Sequence, residues 1–259
     1  MKLSLFQVDT FTNEVFSGNP AAVCSLGEWI DDSLLQAIAG ENNLSETAFF
    51  VKSENHYDLR WFTPITEVDL CGHATLAAAF VLFNEYKISA KEIIFHTKSG
   101  PLTVEQKGEL LEMDFPMQLP IACDVPDDLI KGLGKKPAEV LSSDDYLAVF
   151  DSESEVRNIK PDFERLKRLS FRGVIVTSRG KKADFVSRFF APKLGINEDP
   201  VTGSAHCSLA PYWERRLKKS KLHALQISPR GGELYCEVLD ERVLISGKAV
   251  KFMQGEIFI

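Results

Sequence analysis

The sequence predicts an α+β protein of two similar domains, each with strands packed around one apolar helix. Two observations predict this class. Leu59 to Phe80 and Ser187 to Trp213 share an order of arginine, two aromatic residues, proline, acidic loop, glycine and apolar helix. In each half a glycine turn between two strand-like alternations follows, at Gly100 and at Gly232. Repetition at a nearly constant offset indicates a duplicated structural unit.

Each half also begins with a predicted strand, helix and strand. In the first half these are LSLFQVDTF, DDSLLQAIAGEN and TAFFVK, and in the second they are YLAVFD, KPDFERLKRL and FRGVIVTS. Asp31 and Asp32 stand at the start of the first helix, and Pro161 and Asp162 at the start of the second. These residue types are N-terminal helix signals.

A cluster of prolines in FPMQLPIACDVPDD interrupts this pattern and predicts the domain boundary. Residues 1–118 would form an N-terminal half with Glu46 and the helix that begins in CGHAT. Residues 119–259 would form a C-terminal half with the helix that begins in EDPVTGSAH, its last strand free to return to the first domain. A cleft between two such halves is a favoured place for a ligand.

Composition limits the classes of partner. The chain has 259 residues, of which 44% are apolar and 26% charged, as in globular domains. A formal charge of −7 argues against nucleic acid or an anionic membrane as partner. The longest apolar run, Leu76 to Phe83, is much shorter than the about 20 residues of a membrane span, and MKLSLFQVDT has no signal-peptide core. We therefore expect a cytoplasmic protein with a small-molecule partner.

The cysteines and histidines do not predict a disulfide framework or a metal site. The cysteines are odd in number, widely spaced and without a CxxC pair, so we expect reduced thiols. Cys71 and His73 offer two metal ligands, but no second pair is evident. The cysteines are Cys24, Cys71, Cys123, Cys207 and Cys236.

Two predicted helix starts carry the candidate binding residues. One lies at Gly72 and His73, the other at Thr202–Ser204. The free N–H groups of a helix start bind carboxylate or phosphate. For one such site alone, ordinary capping by the hydroxyl of Thr202 or Ser204 is the preferred explanation, but a matched pair with His73 and Asp199 beside it favours an anionic small molecule.

Taken singly, three of these residues have structural explanations. Asp199 precedes Pro200, which holds its backbone extended, and its spacing alone indicates a turn or helix N-terminal acid. A lone His73 is more often a hydrogen-bonded structural histidine. Periodicity alone makes Glu46, in LSETAFF, a solvated carboxylate at a strand end.

The order and spacing of five segments resemble the phenazine-biosynthesis isomerase (PhzF-like) family, within the wider diaminopimelate epimerase and proline racemase fold group. The resemblance extends along the whole chain. The segments are VDTFTNEVFSGNPAAV (Val8 to Val23), LSETAFF (Leu44 to Phe50), RWFTPITEVDLCGHATLA (Arg60 to Ala77), RFFAPKLGINEDPVTGSAH (Arg188 to His206) and QISPRGGEL (Gln226 to Leu234).

This resemblance implies two pseudo-symmetric domains, each a curled sheet around a central helix, usually in a homodimer that needs no metal or organic cofactor. The family's acid/base glutamate falls on Glu46. The residues implied to line the pocket and hold substrate are Gly72, His73, Asp199, Gly203 and Ser204.

Cys71 occupies the place of the first of two facing cysteines found in epimerases and racemases of this fold group. Thr202 stands at the second place, and Cys207 lies further into the helix. A two-thiol racemase is therefore disfavoured. We rank Cys71 first as a pocket wall, then as a remnant of common ancestry, then as an auxiliary acid, although a thiol at a helix N-terminus is expected to have a lowered pKa.

The first functional prediction is a cofactor-independent isomerase that moves a proton on a small carboxylate substrate. Glu46 would remove and return the proton, with its pKa raised from about 4.3 by burial. A second prediction is an amino-acid epimerase or racemase, in which Asp199 would supply the second base. The third is a non-catalytic metabolite-binding module on the same fold.

Overall fold

The structure, a computed structural model, describes all 259 residues, which divide into two compact units. The first unit comprises Met1–Asp114 and Ser246–Ile259, and the second comprises Phe115–Ile245. The predicted boundary after residue 118 differs slightly from this division. The fold is mixed α/β and is dominated by strands.

The secondary-structure elements are numbered in chain order. The strands are β1 (Lys2–Thr10), β2 (Asn19–Leu26), β3 (Glu46–Lys52), β4 (Tyr57–Phe62), β5 (Glu67–Val68), β6 (Glu92–Thr97), β7 (Gly100–Lys107), β8 (Leu110–Pro116), β9 (Ile121–Ala122), β10 (Glu139–Ser142), β11 (Tyr146–Val149), β12 (Val174–Arg179), β13 (Phe185–Ala191), β14 (Ile196–Asp199), β15 (Lys221–Gln226), β16 (Gly232–Leu239), β17 (Arg242–Gly247) and β18 (Ala249–Phe258). The helices are α1 (Asp32–Asn42), α2 (Gly72–Phe80), α3 (Asp127–Leu133), α4 (Glu153–Asn158), α5 (Phe163–Leu166) and α6 (Gly203–Leu217), with a π-helical turn at Val81–Glu85 and a 3-10 turn at Pro192–Leu194.

In the first unit the strands follow the order β18, β1, β2, β3, β4, β6 and β7. The β2–β3 and β4–β6 pairs are parallel, so each needs a crossover, and α1 and α2 supply the two crossovers. The last strand, β18, pairs antiparallel with β1 along its length.

Helix α2 is the buried helix of the first unit. Every residue from His73 to Ala79 is buried, and the helix packs against β1, β2 and β3. A helix that is apolar all round has no solvent face, and this explains the unbroken apolar run in the sequence. Helix α1 differs because it buries only one side, through Leu35, Ile38 and Ala39.

In the second unit β11 and β12 are parallel, as are β13 and β15. Helix α6 packs against β15 and β16 and buries the residues from Ala205 to Trp213. The helix predicted in KPDFERLKRL is present but short: α5 covers only Phe163–Leu166, with the Asp162 side chain accepting a hydrogen bond from the Arg165 N–H.

The two predicted glycine turns are confirmed, and the glycines are required for different reasons. Gly100 pairs with Thr97 at the β6–β7 turn and has φ +98°, a backbone conformation that residues other than glycine rarely adopt. Gly232 pairs with Gln226 in the β15–β16 hairpin, where a Cβ atom would lie 2.2 Å from the Val201 side chain.

Two sequence expectations concern the cysteines and the possibility of a membrane span. All five cysteines are free thiols, as the spacing predicts. None of the helices has both the length and the apolar character needed to cross a membrane.

Candidate active site

Three predicted residues of the first unit form a buried cluster: Glu46, Cys71 and His73. Nε2 of His73 lies 3.2 Å from Oε2 of Glu46, and Nδ1 of the same ring lies 3.5 Å from Sγ of Cys71. Only 8% of the His73 side chain and 12% of the Glu46 side chain are exposed. The imidazole therefore connects the carboxylate and the thiol.

The backbone around these residues explains their convergence. Glu46 begins β3, which lies parallel to β2 and pairs there with Ala21. Cys71 precedes α2 in an extended conformation, and its carbonyl accepts hydrogen bonds from the N–H (3.1 Å) and hydroxyl (2.6 Å) of Thr75. The first N–H groups of α2, including that of Gly72, have no partner within the helix and are available to an anion.

Burial lowers the pKa of His73 to about 4, so the ring is neutral near pH 7. A neutral imidazole has one donor and one acceptor nitrogen. Nδ1 contacts the Cys71 thiol, whereas the 3.2 Å approach of Nε2 to Oε2 of Glu46 lacks hydrogen-bond geometry. A small rotation of the imidazole would let Nε2 donate to the ionised carboxylate or, in the other tautomer, accept from the protonated carboxyl group.

In the second unit Asp199 and Thr202 are joined to each other and to Gln226. The Thr202 hydroxyl donates to Oδ2 of Asp199. The Gln226 amide accepts from the Thr202 N–H at 2.9 Å and donates to the Asp199 carbonyl at 2.8 Å. The Thr202 side chain does not cap α6, because it is directed to Asp199 instead.

Gly203 and Ser204 are the first two residues of α6. The Ser204 hydroxyl accepts a hydrogen bond of 2.9 Å from Arg172, whose guanidinium also makes two bonds to Asp145, of 3.0 and 2.9 Å. Desolvation raises the pKa of the buried Asp145, against the opposing effect of Arg172. Burial lowers the pKa of Arg172, but the hydrogen bonds and charge of Asp145 outweigh this effect and raise it. The guanidinium beside Ser204 is therefore a cation.

The sequence interpretation missed Arg172, Asp145 and Gln226. Gln226 opens the segment QISPRGGEL, which was recognised only as a whole. Arg172 lies within the predicted strand FRGVIVTS and Asp145 directly precedes YLAVFD. Neither belongs to a motif, so no local signal could have selected them.

The structure thus assembles the predicted site residues into two sets, one in each unit. Glu46, Cys71, Gly72 and His73 belong to the first unit, and Asp199, Thr202, Gly203 and Ser204 to the second. The expectation that both helix starts meet in one cleft stays a prediction.

The first set also has the donor atoms of a metal ligand set. The carboxylate of Glu46, the thiol of Cys71 and a nitrogen of His73 lie within 4.8 Å of one another. Cysteine, histidine and carboxylate are all ligands of zinc. Metal-independent action stays a prediction based on the family resemblance.

Comparison with known proteins identifies the class and then the family. An isomerase of Pseudomonas aeruginosa, described as uncharacterized, is 55% identical over the full length of both chains. A crystal structure of a phenazine biosynthesis protein of the PhzF family from Enterococcus faecalis has a TM-score of 0.98 and 51% identity, covering all of both chains. The chain is therefore an enzyme, an isomerase.

The family model for phenazine biosynthesis-like proteins (PhzC-PhzF) matches residues 8–255, and the chain belongs to this family. A hydroxyproline epimerase from Agrobacterium vitis has a TM-score of 0.61 at 10% identity, covering 99% of this chain and 92% of its own. At that identity the likeness shows a shared fold with the epimerases and no more.

Proposed function

We propose that the protein is a cofactor-independent isomerase that moves a proton on a small carboxylate substrate, with Glu46 as the acid/base group. The observation that carries this proposal is the 3.2 Å contact between Oε2 of Glu46 and Nε2 of a buried, neutral His73. A group that removes a proton and returns it elsewhere must be stable in both protonation states. His73 lies close enough to supply a partner for each state after a small rotation of its ring, through its two tautomers.

Binding of the substrate carboxylate is assigned to the helix starts. In the first unit the N–H groups of Gly72 and His73 suit an anion because, at the start of α2, they have no carbonyl partner within the helix. In the second unit Gly203 and Ser204 offer the same kind of donors, with the Arg172 cation 2.9 Å from the Ser204 hydroxyl. Donors of this type also stabilise negative charge that develops when a proton leaves a carbon next to a carboxylate.

Asp199 has a binding role in this proposal. Its Oδ2 accepts a hydrogen bond from the Thr202 hydroxyl, and its backbone carbonyl accepts one from the Gln226 side-chain amide. These bonds orient the carboxylate toward a fixed position, which suits holding a substrate donor. An epimerase that used Asp199 as its second base would instead invert the substrate α-carbon.

Three further properties belong to the same proposal. We infer a homodimer, a cytoplasmic location and an origin by internal duplication. The first is implied by the family resemblance, the second by the N-terminal sequence and the lack of a long apolar run, and the third by the repeated segments. Five free thiols support a reducing compartment. Duplication is supported by a matching pair of ion pairs, Arg60 with Glu67 and Arg188 with Glu198, each with an N–O distance of 2.7 Å.

The experiment that tests the function is deuterium uptake from heavy water into a panel of small amino, hydroxy and cyclic carboxylic acids, followed by mass spectrometry. The wild type is expected to exchange a carbon-bound hydrogen of at least one acid. Glu46→Gln, which keeps shape and removes the base, should abolish the exchange. Glu54→Gln, an exposed substitution in the loop after β3, is the matched control and should exchange normally.

The outcomes separate the candidate functions. Full exchange by Glu46→Gln would refute the assignment of Glu46. Exchange with inversion at the α-carbon would favour the epimerase. Tight binding of one acid without any exchange would favour the metabolite-binding module.

A further inference from the structure

A second group of side chains with metal-binding atoms lies on the surface of the first unit, formed by His56, Asp58 and His96. One ligand atom from each lies within 4.8 Å of the others. None of the three is part of the Glu46 cluster. We propose that these residues form a binding site for a divalent transition-metal ion of the zinc class.

Strand geometry places the three side chains on one face. Residues i and i+2 of a strand point the same way, which relates His56, just before β4, to Asp58 within it. Asp58 and His96 are direct partners in the parallel pairing of β4 with β6. Their neighbours Tyr57 and Phe95 are also partners and are both buried. The opposite face, with the three polar residues, is therefore the outer one.

The proximity of the ligand atoms suits coordination after a rotation of one ring. Nε2 of His56 lies 3.3 Å from Oδ1 of Asp58, and the rings of His56 and His96 stack with centroids 3.7 Å apart. Because imidazole binds a metal along a lone pair in the ring plane, one of the stacked rings would turn about its side-chain bonds to bring both nitrogens to one ion. Ser53 donates to the other carboxylate oxygen, Oδ2, at 2.9 Å and thereby orients Oδ1 toward the rings. Hydrogen bonding of the second carboxylate oxygen is a common way to fix a metal ligand.

An ion pair between His56 and Asp58 does not involve His96, whereas a metal ion would use all three side chains. Two imidazoles and one carboxylate satisfy zinc with a fourth position left for water. Partial exposure of the ligands gives an ion an entry path.

The test is calorimetric titration of chelator-treated, full-length protein with zinc chloride. The expected result is one ion per chain at this site, with affinity falling at least about tenfold in His56→Ala and in His96→Ala. His223→Ala is the matched control, since His223 is a partly exposed imidazole that contacts Glu233 at 2.7 Å elsewhere in the chain. Binding by this control should equal the wild type.

Cys71→Ser separates the site from the buried Glu46 cluster. If the proposal is correct, this variant binds zinc as the wild type does, and cobalt bound to the wild type shows no thiolate charge-transfer band. Zinc should also raise the Tm of the wild type, by about 5 °C at a hundredfold excess over Kd, and should leave that of His96→Ala unchanged. Absence of binding, or binding lost in Cys71→Ser but kept in both histidine variants, would overturn the proposal. Neither outcome affects the deuterium-exchange test of Glu46.

Discussion

Acid should destabilise this protein through His206, a fully buried residue of α6. Its Nδ1 lies 2.8 Å from the Thr202 carbonyl and donates to it, while Nε2 has no partner. The ring lies beside Phe185, with centroids 5.8 Å apart. Protonation would put a charge on Nε2 in an apolar environment that offers no acceptor.

The magnitude follows from the shift in pKa. Burial lowers the pKa of His206 from 6.5 to about 4, against a smaller raising effect of the Thr202 carbonyl. Between these values the unfolded chain binds a proton at this residue and the folded chain does not. The free energy of unfolding therefore falls as the pH falls through that window, by about 3 kcal/mol in total. The contribution is fully present above pH 6.5 and is lost near pH 4.

The assay is urea denaturation followed by circular dichroism at several pH values between 7.5 and 4 for wild type and His206→Asn. Asparagine keeps a donor for the Thr202 carbonyl but does not titrate. Carboxylates titrate in both proteins, so their effect cancels in the difference between the two curves. We expect the wild type to lose about 3 kcal/mol more than the variant on acidification. His223→Asn, which removes a partly exposed imidazole, is the matched control variant. Parallel curves for wild type and His206→Asn would refute the reasoning.

Two further predictions concern the candidate site. Arg172→Met should lower the free energy of unfolding, measured by urea denaturation, by about 3 kcal/mol, because it leaves the buried Asp145 without its cation. Adding Asp145→Asn should restore much of this loss. Equal stability of the single variant and the wild type would contradict the prediction. Cys71→Ser should keep the rate of deuterium exchange within about tenfold, because a hydroxyl also donates to Nδ1 of His73 and mutational losses of a supporting hydrogen bond are of order 1 kcal/mol. Complete loss of exchange in that variant, with substrate protecting the thiol from alkylation, would instead make Cys71 an auxiliary acid.

Local sequence patterns predicted the helices and turns nearest the candidate site. The apolar run after Gly72 predicted a buried helix, and α2 is buried along its length. The acidic signal at Asp31 and Asp32 predicted the start of α1, and the alternation around Gly100 and Gly232 predicted the hairpins. These features depend on residues within one or two turns of each other, and a sequence displays such neighbours directly. The KPDFERLKRL helix is the exception, since α5 covers only Phe163–Leu166.

The family resemblance supplied what local patterns did not, namely roles for Glu46, His73 and the residues of the second helix start. Periodicity alone makes Glu46 a solvated strand-end carboxylate. In the structure its side chain is largely buried and 3.2 Å from His73. That burial results from the packing of β3 beside β2 and α2, which no short window of sequence contains.

Only the tertiary structure determined the partners of polar side chains. Arg172 contacts Asp145 and Ser204 because three segments far apart in the chain pack together in the second unit. The pairing of His96 with Asp58 likewise depends on the register of two parallel strands. The sequence by itself therefore determined the elements that carry the site, the family and the candidate residues, since these depend on local patterns and on a resemblance along the chain. The structure alone decided which charges meet, because a hydrogen bond or ion pair between distant segments exists only after the surrounding apolar surfaces have packed.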